Sequence, residues 1–469
     1  MALPVDTSLV AGSRRSTLER VLCLFSEVRP GEGVSALVMV ANVFLILCAY
    51  YFVKPLRDGW IAIADIGGLT NMEVKAYTSF AQGLFLVGAV SLYARLAARW
   101  PRRQLIVRST WFCMSNLVVF WLLRPGFLGE QMPAAGVAFY IWVGMFGVFV
   151  VSQFWAFAAD YYTDERGQRL LPLIAIGATS GAVAGSFLTS TLLGSGIIDS
   201  SALLLVAALP LAGSIVLTAV ADSRGPTGDG AGPIGQASAS APAARGQAGA
   251  VGLVLRHRYL LAVAGVTLFT AWVGTNGENL LFKVVQDALA SELVARGVTN
   301  SIEMKALVRD WTTAFYGSFF FWVNVCALFL QALVASRLLR YGGFGLILLL
   351  LPAISLVTYS MMAIVPVLLV VRVLKTAENS TAYSINNTAR QVLWLPTTAE
   401  MKYKAKPAIE TFFVRLGDGL AAGTILVGIH LYALSTQSFF VINVALVVVW
   451  LLVALVVVRE HRRLTRRGR

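Results

Sequence analysis

The chain has 469 residues, 57% of them hydrophobic and 13% charged, with a mean hydropathy of +0.73. That balance excludes an ordinary soluble domain and places the chain among polytopic membrane proteins. The formal net charge of +14, with no basic helix or aromatic–basic stripe outside the apolar runs, points to cytoplasmic loops and anionic membrane lipid and excludes nucleic acid as a partner.

Residues 1–33 read as an N-terminal segment with one short helix. Ser16 and Glu19 form a capping-box pattern, and Val21, Leu22, Leu24, Phe25 and Val28 give it an apolar face. Such a helix lies on the cytoplasmic membrane surface or packs on a bundle end; the pattern fits both. Residues 1–20 lack an apolar h-region, so no cleavable signal is expected.

Apolar runs of membrane-crossing length follow near 34–62, 74–98, 104–124, 134–162, 169–194 and 201–221. A second set falls near 256–284, 309–338, 343–363, 365–392, 408–432 and 438–458. The predicted fold is an all-α membrane protein of about twelve helices in two six-helix bundles, 34–221 and 251–460. Residues 222–250, rich in Gly, Ala, Ser and Pro, read as a flexible cytoplasmic linker, and 461–469 as a basic tail.

Arg and Lys collect in the loops after the even spans. They are Arg99, Arg102 and Arg103, then Arg166 and Arg169, then Arg224 and Arg245 in the first half. Arg337 and Arg340, then Lys402, Lys404 and Lys406, and the tail follow in the second. The positive-inside rule therefore places both termini in the cytoplasm; a bacterial inner membrane is the expected location. The halves also echo each other. Spans one and seven both carry polar breaks, and spans four and ten both run into polar segments ending at Pro172 and Pro396. Parallel six-helix repeats around a midplane site are the major-facilitator-like architecture.

The chemistry is expected at intramembrane charges, which usually face a bundle interior or wet cavity. Span one carries Lys54, Arg57 and Asp58 around Pro55, at three- and four-residue spacings that share a helical face. Span ten carries Arg372, Lys375, Asn379, Tyr383, Asn386 and Arg390 as one continuous stripe, with Glu378 beside it. This reads as a basic, amide-rich wall for an anion, with Tyr383 able to stack a base, or as interhelical hydrogen bonding. Glu278 and Lys283 lie in span seven, where Gly277 suggests a broken helix. Asp160, in span four with Gln153 and Asp164, pairs with Arg57 or Lys54, takes up a proton, or closes a gating ion pair at the cytoplasmic end. Gly177, Gly181 and Gly185 of span five, and Gly419 and Gly423 of span eleven, are small-residue faces for close packing.

Four cysteines without CxxC spacing and three scattered histidines suggest neither disulfide frame nor metal site, and no cofactor is expected. With no GxxxxGK[ST] loop and no Ser/His/Asp cluster, an ATP-driven pump or an enzyme is not expected.

The stretches Tyr50 to Asp58, Phe154 to Ala158 with Arg169 to Pro172, Ala377 to Ser380, and Tyr403 to Ala408 resemble those of the ATP/ADP translocase-like nucleotide transporters of bacteria and plastids. The resemblance covers most of the chain from Val34 to Leu431, apart from the linker. It implies a twelve-helix carrier that exchanges nucleotides or imports them with protons. Apart from the resemblance, a monomer is the expected unit. By that resemblance Arg57 is the family's basic residue late in span one, and Glu278 is at or next to its carboxylate in span seven. The family's lysine in span eleven is missing: Leu416 and Gly417 are followed by Asp418, with Arg415 one turn earlier. A proton-coupled carrier of an unrelated solute and a non-transporting scaffold or sensor remain the alternatives.

Overall fold

The computed structural model describes residues 16–23, 26–97, 99–100, 102–125, 127–128, 132, 134–223, 252–298, 300–398 and 401–467. The N-terminal stretch 1–15, nearly all of the predicted linker, and the last two tail residues lie outside the described residues. The elements are α1 Thr17–Leu22, α2 Gly33–Ala62, α3 Asn71–Ala97, α4 Arg102–Leu122, α5 Ala135–Tyr161, α6 Asp164–Gly194 and α7 Ala202–Ser223. Then come α8 Arg258–Ala295, α9 Ser301–Phe329, α10 Ala335–Ile364, α11 Leu368–Tyr383, α12 Ile385–Val392, α13 Val414–His430 and α14 Thr436–Arg467.

Among the described residues, ten helical stretches are long and apolar enough to cross a membrane. One of them, 301–364, holds two crossings. It passes through a π-helical turn at Leu330–Val334 and then kinks at Gly343, whose φ of 67° and ψ of −176° suit only glycine. The tenth crossing, α11 with α12, is too polar and too interrupted to count by apolarity, and completes twelve.

Several helices outrun their apolar windows. α8 continues to Ala295 on exposed pairs, Lys283 with Asp287 and Arg296 with Glu292, and α9 begins at Ser301 behind Asn300, whose side chain accepts from the Ile302 amide at 3.0 Å. The expected break at Gly277 is not there: α8 is continuous. The break lies instead in span ten, at Ser384 (φ −111°, ψ −81°), so its polar stripe is not continuous. Its cause is local. Hydroxyls of Ser380, Thr381 and Ser384 bond back to carbonyls of Ala377 and Ser380 at 2.6–3.1 Å, which bends helices.

Buried apolar side chains form two clusters. One spans α2 and α4 to α7 and takes in Leu22 and Val28 from the N-terminal segment; the other is built mainly from α8 to α14. Ser16 and Glu19 cap α1 reciprocally, at 2.7 and 3.2 Å.

The segment after α1 is tied to α6. Arg169 makes two hydrogen bonds of 3.0 Å to the two oxygens of Glu32, and Arg166 lies 3.3 Å away. Burial alone would raise the Glu32 pKa, but the Arg169 hydrogen bonds, the Arg29 amide and the charges of Arg169 and Arg166 outweigh it and lower it. A lowered folded value stabilises fully above the ordinary value of 4.5 and is lost as pH falls through the folded value. Thermal unfolding of the wild type is therefore expected to lose more stability than Glu32→Gln as pH is taken below about 4.5; parallel pH profiles would show that the clamp carries no charge linkage.

Close packing in the first bundle rests on glycine. The α-carbons of Gly177, Gly181 and Gly185 lie against the α2 backbone, where an added Cβ would meet the carbonyl oxygens of Val40, Phe44 and Cys48. In α13, Gly419 faces the Phe80 ring of α3, but Gly423 has nothing within 4 Å, so only the first serves packing. Gly181→Ala is expected to destabilise by about 1–3 kcal/mol through overpacking. Gly423→Ala should be neutral or stabilising, because only helix propensity changes. Equal unfolding temperatures for the two variants would contradict this.

The loops 63–70, 195–201 and 431–435 define a far end, opposite the end that carries the termini. Helix α9 packs across the bundles on α2 and α6, and α13 on α3. The bonds seen between the two sets lie at the far end and the middle. His430 Nε2 is 2.7 Å from Glu73 Oε1, Ser200 Oγ donates to Asp310, and the Tyr51 hydroxyl donates to Asn324 at 3.2 Å.

Candidate functional site

Between the bundles, at the middle of the fold, α2, α3, α8, α9 and α11 bring ionisable side chains together. Helix α2 passes through Pro55 without ending, and its three charges fan out to different neighbours. Lys54 turns to the second bundle. Its Nζ lies 3.9 Å from the Phe320 ring centroid, 4.9 Å from Tyr51, 5.7 Å from Tyr383 and 5.9 Å from Tyr50. No carboxylate of the described residues lies within 4.0 Å of it. Ring faces attract an ammonium, but by only about 0.5–2 kcal/mol.

Arg57 lies over the Tyr140 ring of α5 at 4.5 Å, with 16% of its side chain exposed. Asp58 is buried and faces α3, where Lys75 Nζ is 2.8 Å from Oδ1; Arg57 Nε is 3.6 Å from Oδ2.

The second bundle supplies a lysine between two carboxylates. Lys375 is fully buried, 2.5 Å from Glu378 Oε2 and 3.4 Å from Glu278 Oε1. Glu378 also accepts from Ser355 at 2.6 Å and from the Tyr359 hydroxyl at 3.1 Å, so its oxygens are satisfied. Gly277 makes room for this, since a Cβ there would collide with the Tyr359 hydroxyl and stand 2.8 Å from Lys375 Nζ. Glu278 accepts from Asn379 Nδ2 at 2.9 Å, is one-third exposed, and lies within electrostatic reach of Lys375, Lys75 and Lys54.

The cluster thus holds four cations (Lys54, Arg57, Lys75 and Lys375) and three carboxylates (Asp58, Glu278 and Glu378). The carboxylates are committed to Lys75, to Lys375 and to Asn379; Lys54 is left over, and Arg57 keeps only its longer contact with Asp58. Tyr383, 44% exposed, stands beside it.

Eight of the sequence candidates converge here: Lys54, Arg57, Asp58, Glu278, Lys375, Glu378, Asn379 and Tyr383. Three do not. Asp160 is exposed near the end of α5 that carries the termini. The α5 residue level with Arg57 is Tyr140, and twenty residues of helix separate the two by about 30 Å. Lys283 pairs with Asp287 on an exposed face, because five residues beyond Glu278 turn a helix by about 140°. Asn386 lies beyond the break at Ser384, buried in α12, and Arg390 farther on approaches Glu410 at 3.7 Å.

In α13, Arg415 Nη1 bonds Asp418 Oδ2 at 2.9 Å and Thr275 donates to Asp418 Oδ1 at 2.7 Å. Asp418 is therefore held in an internal ion pair without excess charge. Lys75 escaped the sequence reading because it stands at the predicted start of span two and passes for a flanking charge. Glu73 and Lys75, two residues apart on a helix and so on nearly opposite sides, are both buried, Glu73 against His430 and Lys75 against Asp58 and Tyr316.

No protein-family model matches the chain, and no curated protein does. Solved structures do. The nucleoside transporter NupG is similar at 12% identity and a TM-score of 0.60, covering 90% of this chain and 98% of that one. The POT family transporter PepTSo is similar at 12% identity and a TM-score of 0.58, covering 92% and 98%. A bacterial homolog of the human lysosomal transporter Spinster, in an inward-facing and unoccupied conformation, is similar at 14% identity and a TM-score of 0.53, covering 92% and 99%. Identities this low establish the fold and nothing finer: the chain is an all-helical integral membrane protein of major-facilitator-like architecture, two six-helix bundles around a midplane cluster of charge.

Proposed function

We propose that the protein is a secondary active transporter that carries an anionic organic small molecule, with nucleotides the first class to test. One observation carries the reading: Lys54, a buried lysine between the bundles, has aromatic rings around its amine and, among the described residues, no carboxylate within 4.0 Å. A fixed, unspent cation draws an anion in, while the neighbouring carboxylates keep it from binding too tightly to leave. Lys54 and Arg57 are its direct ligands in this reading, with Tyr383 and Tyr50 as flat walls for an organic ring.

The resemblance to the ATP/ADP translocase-like carriers supports a nucleotide as the first solute. The basic loops support termini in the cytoplasm of a bacterial inner membrane, and the far end, where His430 meets Glu73 and Ser200 meets Asp310, is then the external one. Alternating access rocks bundle 34–221 against bundle 251–460 about the site, with 222–250 as the tether. No cofactor is needed, and one monomer holds the whole site.

The test is uptake of labelled ATP, ADP and a panel of phosphorylated metabolites into proteoliposomes, with and without the same solute inside. Internal solute should accelerate entry. Flux of an uncharged solute driven by a pH gradient alone would favour the proton-coupled alternative, for which Glu278, one-third exposed, is the candidate carrier of the proton. Absence of any flux would leave a scaffold or sensor.

A further inference from the structure

We propose that Lys75 is a positioning residue for the anion site: by taking up the charge of Asp58, it keeps the Arg57 guanidinium uncommitted. This rests on the reading of Arg57 as an anion ligand, but its test concerns the state of Arg57 and needs no transport.

Asp58 is 1% exposed, and a buried carboxylate without a cation costs several kcal/mol, so it must hold one. Among the described residues two cations are within 4.0 Å of it, Lys75 at 2.8 Å and Arg57 at 3.6 Å. The shorter pair is Lys75, and the structure shows what seats it there. Its Nζ is 4.4 Å from the Phe282 ring centroid and 5.0 Å from that of Tyr316, and it donates to the Tyr316 hydroxyl at 3.3 Å. Phe282 and Tyr316 belong to α8 and α9, so the second bundle fixes the lysine on a carboxylate of the first.

Arg57 is left in the complementary condition. Its contact with Asp58 is longer than a hydrogen bond, whereas Lys75 is within ion-pair distance at 2.8 Å; among the described residues neither Arg57 Nε nor Asp58 Oδ1 has a hydrogen-bond partner. Its guanidinium rests on the Tyr140 ring, an interaction that uses its face and leaves its edge of N–H donors free. Without Lys75, Asp58 would have Arg57 alone to turn to. The gap is short enough for a side-chain rotation to close, and the fork would then be spent on Asp58.

The experiment uses the full chain in detergent and phenylglyoxal, an arginine-selective reagent, with modification of Arg57 followed by peptide mass spectrometry. Exposed Arg296 serves as the internal reference. Lys75→Met is expected to slow Arg57 modification about tenfold or more, the scale of one charged hydrogen bond. Adding Asp58→Asn to Lys75→Met is expected to restore the wild-type rate, which loss of packing at position 75 would not do. An unchanged rate in Lys75→Met, or no recovery in the double variant, overturns the proposal. Should Lys75→Met fail to fold, the double variant is compared with Asp58→Asn alone. Equal, wild-type-like rates support the proposal, and a slower rate in the double variant overturns it.

Discussion

Replacing Lys375 by methionine is expected to destabilise the protein by about 3–5 kcal/mol, the typical cost of removing one partner from a buried ion pair. The lysine is fully buried and stands between Glu378 at 2.5 Å and Glu278 at 3.4 Å. Methionine fills similar volume, so the effect would report charge and not a cavity. Glu378 would keep Ser355 and Tyr359 as donors, but two neutral hydroxyls do not compensate a desolvated carboxylate. The added change Glu378→Gln should recover much of the loss, since glutamine keeps an acceptor for those hydroxyls and carries no charge. Thermal unfolding of the purified single and double variants measures both effects. A single variant as stable as the wild type would mean that the triad is wet or already neutral, and that Lys375 is free to meet substrate after all.

Lys375 was legible as an intramembrane cation on the polar face of span ten, and it does lie at the site. Its pairing with Glu378, three residues on, was open to a linear pattern; the second contact, from Glu278 on another helix, was not. Helix number and order were legible, since a bilayer demands a fixed length of apolar chain, and α2 to α14 follow the predicted runs within a few residues at most ends. Depth and azimuth were not. Asp160 sits in an apolar run yet emerges at its end, and Lys283 belongs to the right helix but the wrong face. The break at Ser384 was hidden because its cause, hydroxyls bonding back to the turn before, leaves periodicity intact up to the break. Gly423 shows the same limit from the other side: it has the spacing of a packing glycine with no neighbour to pack on.

Lys54→Met is expected to act in the opposite sense to Lys375→Met: uptake should fall about ten- to a hundredfold, while the ligand-free protein becomes as stable as the wild type or more so. The loss of uptake follows from a charged contact worth about 1.5–3 kcal/mol to a bound anion. The gain in stability follows from the balance at the empty site. Lys54 is 8% exposed, and no carboxylate of the described residues lies within 4.0 Å of it. Desolvating an ammonium costs several kcal/mol, whereas the ring faces of Phe320 and Tyr51 return about 0.5–2 kcal/mol. Methionine removes the cost and keeps favourable sulfur–aromatic contacts with the same rings. Stability given up at a residue that binds substrate is the usual trade between function and folding. The same substitution at positions 54 and 375 thus separates an unspent charge from a spent one. The comparison to make is unfolding temperature without ligand beside anion uptake, on the same preparations. Were Lys54→Met to lose stability as heavily as Lys375→Met, Lys54 would be one more internal ion-pair partner, and the anion would have to bind elsewhere between the bundles.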